Sequence, residues 1–190
     1  MSKKKLLITY LLSFTWGCII TSIGVILSLC LLITRHKPKL YNGYVHFKLL
    51  NNNWGGMSFG PFIFTDIFPS TQLLNHECGH SIQNIILGPL MPFIVSIPSA
   101  VRYWLRNFKT IKGKYVYVSI FSAILYVISF VFLFTNVWYV GMIILLYTII
   151  LDCWLIINEI PKYKNNVYVP YDDIWFEKSA TDIGNKLFTK

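Results

Sequence analysis

Two histidines four residues apart, with a glutamate directly after the first, are the residues of this sequence that most clearly indicate chemistry. They belong to the run His76-Glu77-Cys78-Gly79-His80, an H-E-x-x-H pattern. Residues four apart lie on one face of an α-helix, so both imidazoles can reach one zinc ion. Glu77 would lie beside the remaining open position as general base for a water molecule. The pattern therefore predicts a zinc site that takes a third ligand from elsewhere in the chain.

The third ligand has few candidates, because the chain contains only three glutamates. Glu77 belongs to the motif, and Glu159 lies at the end of an apolar stretch, as an interfacial charge would. Glu177 lies in a segment that can form a short helix. Asp152 lies inside an apolar stretch, where an acidic residue is costly and usually functional. Glu177 and the alternative Asp152 therefore both stay open as ligands on this evidence.

The composition predicts an integral membrane protein. Of the 190 residues, 55% are hydrophobic and only 13% are charged, and the mean hydropathy is +0.54. Soluble domains carry about 25% charged residues. The net charge of +9 comes from basic residues beside apolar segments, which is typical of contact with lipid headgroups and argues against nucleic acid as a partner. The four cysteines are scattered, so neither a disulfide framework nor a cysteine metal site is predicted.

Apolar runs predict a mainly α, helical membrane protein with three to four spans, forming one membrane-embedded domain. The expected spans cover residues of about 6–33, 115–134 and 137–157. Segment 89–101 contains Pro92 and Pro98, which favours a re-entrant or broken segment and leaves the fourth crossing open. The basic run 102–114 indicates the cytoplasmic side. The tail 158–190 is polar.

Local signals also predict the elements around the motif. Ser70 or Thr71 can cap a helix over about 71–87, and Gly88-Pro89 ends it. Before it, Trp54–Phe64 is rich in glycine and aromatic residues, which predicts an irregular strand or hairpin. Residues of this segment could hold a substrate backbone by strand addition, or the segment could anchor in the membrane interface. The substrate-binding candidates are Gly55, Gly56 and Ser58.

Glu177, followed three positions later by the small residue Ala180, resembles the second helix of the gluzincin metallopeptidases, in which the glutamate is the third zinc ligand. In that pattern an aspartate four residues after the glutamate supports a histidine ligand. Thr181 stands at that position here, and its hydroxyl can accept a hydrogen bond from an imidazole N–H. Leu151-Asp152-Cys153 is instead similar to the L-D-G segment of intramembrane zinc proteases resembling the site-2 protease, without the glycine.

A wider set of motifs resembles a family of small bacterial membrane proteins with a zinc-peptidase signature. The motifs are Thr15-Trp16-Gly17, Trp54–Gly60, His76–Gln83, Leu87–Leu90, Ile97-Pro98-Ser99 and Trp175–Glu177 with Gly184. The resemblance implies a zinc-dependent peptidase of the bacterial cytoplasmic membrane, with Glu77 as its catalytic residue and His76, His80 and Glu177 as ligands. Its expected partners are the lipid bilayer and a peptide or protein substrate at the membrane. The alternative is a non-catalytic binding, immunity or accessory protein with a structural or vestigial zinc site.

Overall fold

The computed structural model describes residues 3–49, 54–164 and 168–188 and is mainly helical, with one small sheet. The chain, expected to form one domain, divides into two compact units. Unit 1 comprises Met1–Ile97 and Tyr171–Lys190, and unit 2 comprises Pro98–Pro170. The H-E-x-x-H motif and Glu177 both belong to unit 1, whereas Asp152 belongs to unit 2.

Unit 1 contains a four-stranded sheet with the order β1-β2-β4-β3. Its strands are β1 (Lys39–Tyr41), β2 (Tyr44–Lys48), β3 (Gly56–Phe59) and β4 (Phe62–Thr65). The β3–β4 pair is the predicted hairpin, whereas β1 and β2 form where the sequence analysis predicted no strand. Asn42 and Gly43 join β1 to β2 with φ values of 50° and 93°, which is the type I′ geometry that Asn-Gly favours. Parallel pairing of β2 with β4 joins the two hairpins.

The segment predicted to span the membrane over residues 6–33 is not one unbroken helix. Two helices, α1 (Lys3–Phe14) and α2 (Cys18–Ile33), meet there at a bend of 96°. The bend is held by contacts from a distant segment, because the Asn84 side chain donates to the Gly17 carbonyl at 3.3 Å. Trp16 also packs closely on Gly88, where an added Cβ would lie 2.3 Å from the indole nitrogen.

The motif helix forms as predicted. Helix α3 spans Thr71–Leu87, and the Ser70 hydroxyl accepts a hydrogen bond from the Leu73 amide at 3.1 Å. Gly88, with φ of +55°, ends it. Short helical turns lead into α4 (Ile97–Asn107), most of which belongs to unit 2. Helix α7 (Trp175–Phe188) completes unit 1.

Unit 2 contains a helical hairpin of α5 (Ile111–Leu133) and α6 (Trp138–Trp154), close to the second and third predicted spans. Helical turns extend α6 to Tyr163, and both helices have a mean hydropathy of 2.4. Within the described residues, these two are long and apolar enough to cross a membrane. The number rises to four if each bent helix pair counts as one span, which is consistent with a membrane protein.

Candidate metal centre

Helices α3 and α7 bring three metal-ligating side chains to one point. The Nε2 atoms of His76 and His80 lie 3.1 Å apart. The Glu177 Oε2 atom lies 3.3 Å from the first and 3.1 Å from the second. The two imidazoles are 10% and 11% exposed, and the carboxylate is fully buried. This group can hold a metal ion.

Gln83 determines which nitrogen of His80 carries the proton. Its amide nitrogen donates to the Phe176 carbonyl at 2.7 Å and to the Ser179 hydroxyl at 2.9 Å. Its amide oxygen therefore faces His80 Nδ1, at 2.7 Å, as an acceptor. Nδ1 must donate, which leaves the lone pair of the neutral ring on Nε2, facing the ligand group. Gln83 thus orients His80 and also contacts α7.

Thr181 likewise determines which ring nitrogen of His76 carries the proton. The Thr181 hydroxyl donates to Asp172 Oδ2 at 3.0 Å, so it accepts a hydrogen bond from His76 Nδ1 at 2.8 Å. The lone pair of His76 also faces the ligand group. Sequence reasoning predicted the threonine contact but missed Asp172, although the acidic pair Asp172-Asp173 directly before α7 was a signal for it. A carboxylate therefore supports the histidine through an intervening hydroxyl.

Three electron-rich atoms therefore converge in a nearly dry site. The lone pairs of His76 and His80 and the carboxylate of Glu177 face one another across 3.1–3.3 Å. Such groups repel one another in a low-dielectric interior unless a proton or a metal cation lies among them. The donor set and its supporting hydrogen bonds suit a metal ion.

Glycines allow α7 to come close enough to deliver Glu177. A Cβ added at Gly79 would lie 1.9 Å from the Ala180 carbonyl oxygen, and one at Gly184 would lie 2.0 Å from the Asn75 carbonyl oxygen. The two helices therefore touch backbone to backbone at both positions. Gly79, between the two histidines of the motif, thus allows the close packing of α3 against α7.

The catalytic candidate Glu77 lies against the edge strand β3. Glu77 is 3% exposed, and a Cβ added at Gly56 would lie 2.9 Å from its Oε1 atom. Of the three predicted substrate-binding residues, Gly56 thus lies beside this carboxylate. The Gly55 carbonyl accepts from the Asp66 amide within the hairpin, and the Ser58 hydroxyl is buried. Strand β3 is an edge strand of the sheet, and edge strands can in general pair with an extended peptide.

Asp152, the alternative third ligand, has other partners. It lies on α6 in unit 2, where the Tyr126 hydroxyl donates to its Oδ2 atom at 2.9 Å. The Ser122 hydroxyl donates to its Oδ1 atom. Both donors lie on α5, so Asp152 joins the two helices of the hairpin. It does not belong to the metal-ligating group.

The candidate centre therefore consists of His76, His80 and Glu177, with Glu77 beside them and Gln83, Thr181 and Asp172 in support. Its description rests on the geometry of this chain. Comparison of the chain with protein-family models, with curated proteins and with solved structures gave no match.

Proposed function

We propose that this protein is a membrane-embedded zinc-dependent peptidase that cleaves a peptide or a membrane-associated protein segment. The observation that carries the proposal is the convergence of the two imidazole lone pairs and the Glu177 carboxylate, with Glu77 directly beside them. The bent helix pair α1–α2 of unit 1 qualifies by length and composition as a broken span, and the two long helices of unit 2 qualify as spans. These helices favour a substrate at the bilayer, in the bacterial cytoplasmic membrane.

The ligand set and its spacing favour zinc. Two histidines and a glutamate are a common protein ligand set of catalytic zinc and leave a fourth position open. Bond lengths of about 2.0–2.1 Å place the ligand atoms of a tetrahedral zinc ion about 3.3 Å apart. The three separations here are 3.1, 3.1 and 3.3 Å. The site thus fits the ion with little rearrangement.

The residues around the centre can perform peptide hydrolysis. Zinc, when bound, supplies Lewis-acid polarisation of a carbonyl and makes water more acidic. Glu77 accepts a proton from the attacking water and delivers it to the leaving amine. The edge of β3 beside Gly56 holds the substrate backbone extended. The hydrogen bonds from Gln83 and Thr181 keep both imidazoles oriented throughout.

Peptide cleavage tests the proposal directly. The full chain, purified in detergent and supplied with zinc, would be incubated with a defined mixture of peptides of varied sequence. Mass spectrometry would then detect new termini. We expect cleavage that a chelator stops and that added zinc restores. A zinc-loaded protein that cleaves no peptide, in detergent or in bilayers, would favour the non-catalytic binding role.

Metal content distinguishes the two candidate third ligands. We expect about one zinc ion per wild-type chain and almost none in Glu177→Ala, because two imidazoles alone do not complete the site. Asp152→Ala is the matched control, since it also removes an acidic side chain and should keep the zinc. Elemental mass spectrometry of the purified proteins measures both. Zinc lost from Asp152→Ala and kept in Glu177→Ala would reverse the assignment.

Removing the Thr181 hydroxyl should weaken zinc binding without abolishing it. Thr181→Val keeps the shape of the side chain but leaves His76 Nδ1 without its acceptor and Asp172 without its donor. Loss of such a supporting contact typically costs 10–100-fold in metal affinity. Competition with a zinc chelator measures the affinity, and Thr135→Val, at an exposed loop position, is the control. Equal affinities in wild type and Thr181→Val would contradict the assigned role.

A further inference from the structure

A single charged residue lies within the apolar body of the α5–α6 hairpin. Residues 115–158 contain no charged side chain except Asp152. Asp152 precedes the end of the α6 extension at Tyr163 by about 11 residues, which is roughly 16 Å of helix. The hydrocarbon core of a bilayer is about 30 Å thick. The carboxylate therefore lies near the bilayer centre when the hairpin spans the membrane.

The charge of Asp152 is not needed to join the two helices. The Ser122 and Tyr126 hydroxyls donate to its two oxygens, and an uncharged asparagine could take part in the same contacts. Elsewhere the helices pack closely without a charge, because Ser129 donates to the Gly141 carbonyl at 2.7 Å. A Cβ added at Gly141 would lie 2.7 Å from the Ser129 carbonyl oxygen. Helix packing within the hairpin thus leaves the charge unexplained.

The Asp152 carboxylate has no cation beside it in the described part of the chain. The ion pairs of residues 3–49, 54–164 and 168–188 involve Glu159 and Glu177 and not Asp152. An acidic side chain inside a span is costly and is almost always paired with another polar or charged group. Two hydroxyl groups stabilise this carboxylate but do not neutralise it. A cation from another molecule would do so.

The carboxylate can be reached from outside the hairpin. Asp152 is half-buried, and the Tyr126 ring beside it is 36% exposed. Ile149 and Ile156 are each 44% exposed, and their spacing of three and four residues from Asp152 places them on the same side of α6. These four residues form an apolar surface with one carboxylate in its middle, called here the Asp152 face.

We propose that the Asp152 face docks a membrane-spanning helix of another protein that carries a lysine or arginine near its centre. Each of the two charges would otherwise be unpaired in the bilayer, so their pairing favours association. A second copy of this hairpin would bring another carboxylate to Asp152, and like charges repel strongly at low dielectric. The site belongs to unit 2 alone and does not depend on the metal centre.

Association with a synthetic helix tests the proposal. The full chain would be placed in phosphatidylcholine vesicles with a peptide of about 20 leucines that carries one lysine at its centre. Energy transfer between dyes on the protein and the peptide reports association. We expect the wild type to bind this peptide about tenfold more tightly than an all-leucine peptide, and Asp152→Asn to bind both equally. Asp182→Asn, which removes the same charge from an exposed position outside the hairpin, should behave as the wild type does.

A charge exchange makes the test independent of any single variant. Asp152→Lys should lose its preference for the lysine peptide and prefer a leucine peptide with a central aspartate. Equal binding of the lysine and all-leucine peptides by the wild type would overturn the proposal. An undiminished lysine preference in Asp152→Asn, or a wild-type preference for the aspartate peptide, would also overturn it. Circular dichroism and zinc content of each variant check that the helices and the metal centre are intact.

Discussion

Replacing Glu77 by glutamine is expected to abolish peptide hydrolysis while leaving the zinc in place. Glutamine has nearly the same shape, so it fits beside Gly56, but its amide cannot accept a proton from water. Glu77 is not among the three converging ligands, so zinc binding should be unchanged. A positioned general base contributes on the order of 10²–10⁴ in rate. The expected result is a loss of that size in the rate of peptide cleavage with about one zinc per chain retained.

Asp182→Asn is the control for this variant, because it makes the same chemical change on an exposed position of α7. It should cleave peptides at the wild-type rate. Undiminished cleavage by Glu77→Gln would exclude this carboxylate as the base. A cellular role that depends on zinc and survives the change would support the alternative, a non-catalytic membrane protein with a structural zinc site.

Replacing Gly79 by alanine is expected to separate α7 from α3 and to empty the metal centre. The new methyl group would lie 1.9 Å from the Ala180 carbonyl oxygen, and a backbone atom in a helix cannot move aside as a flexible side chain can. Overpacking of this kind costs about 1–3 kcal/mol or more. On an exposed helix face the same substitution would stabilise by up to ~1 kcal/mol. The sign of the effect therefore reports the contact between the two backbones.

Thermal unfolding and zinc content measure this effect together. Gly184→Ala should behave like Gly79→Ala, because its methyl group would lie 2.0 Å from the Asn75 carbonyl oxygen. Asn185→Ala, on the exposed neighbouring position of α7, should change neither quantity. A Gly79→Ala protein that gains stability and keeps its zinc would contradict the close packing on which the site depends.

Features that depend on local physics could be predicted from the sequence. The apolar runs identified α5 and α6, and Ser70 and Gly88 marked the ends of α3. The spacing of the two histidines placed them on one face of that helix. A membrane span, a helix cap and a helix face each depend on residues that are close along the chain. A local sequence pattern is therefore enough to predict them.

Two errors had different origins. The β1–β2 hairpin carried a local signal, because Asn42-Gly43 between strand-forming residues favours a type I′ turn, and the basic charge of the surrounding segment hid it. The bend between α1 and α2 has no comparable local cause. It depends on the Asn84 side chain, which donates to the Gly17 carbonyl, and on Gly88, against which the Trp16 indole packs. Both residues lie about seventy residues further along the chain.

Composition and helical periodicity were enough to predict the apolar, span-length helices and the paired histidines with their adjacent glutamate. Only the tertiary structure decided which carboxylate joins them. Glu177 and Asp152 both carry a carboxylate that can bind zinc, but the residues that pack around them differ. The glycines at 79 and 184 let α7 approach α3 and bring Glu177 to the imidazoles, whereas Asp152 accepts hydrogen bonds from Ser122 and Tyr126. A contact across about a hundred residues depends on how backbones pack, which no local pattern encodes.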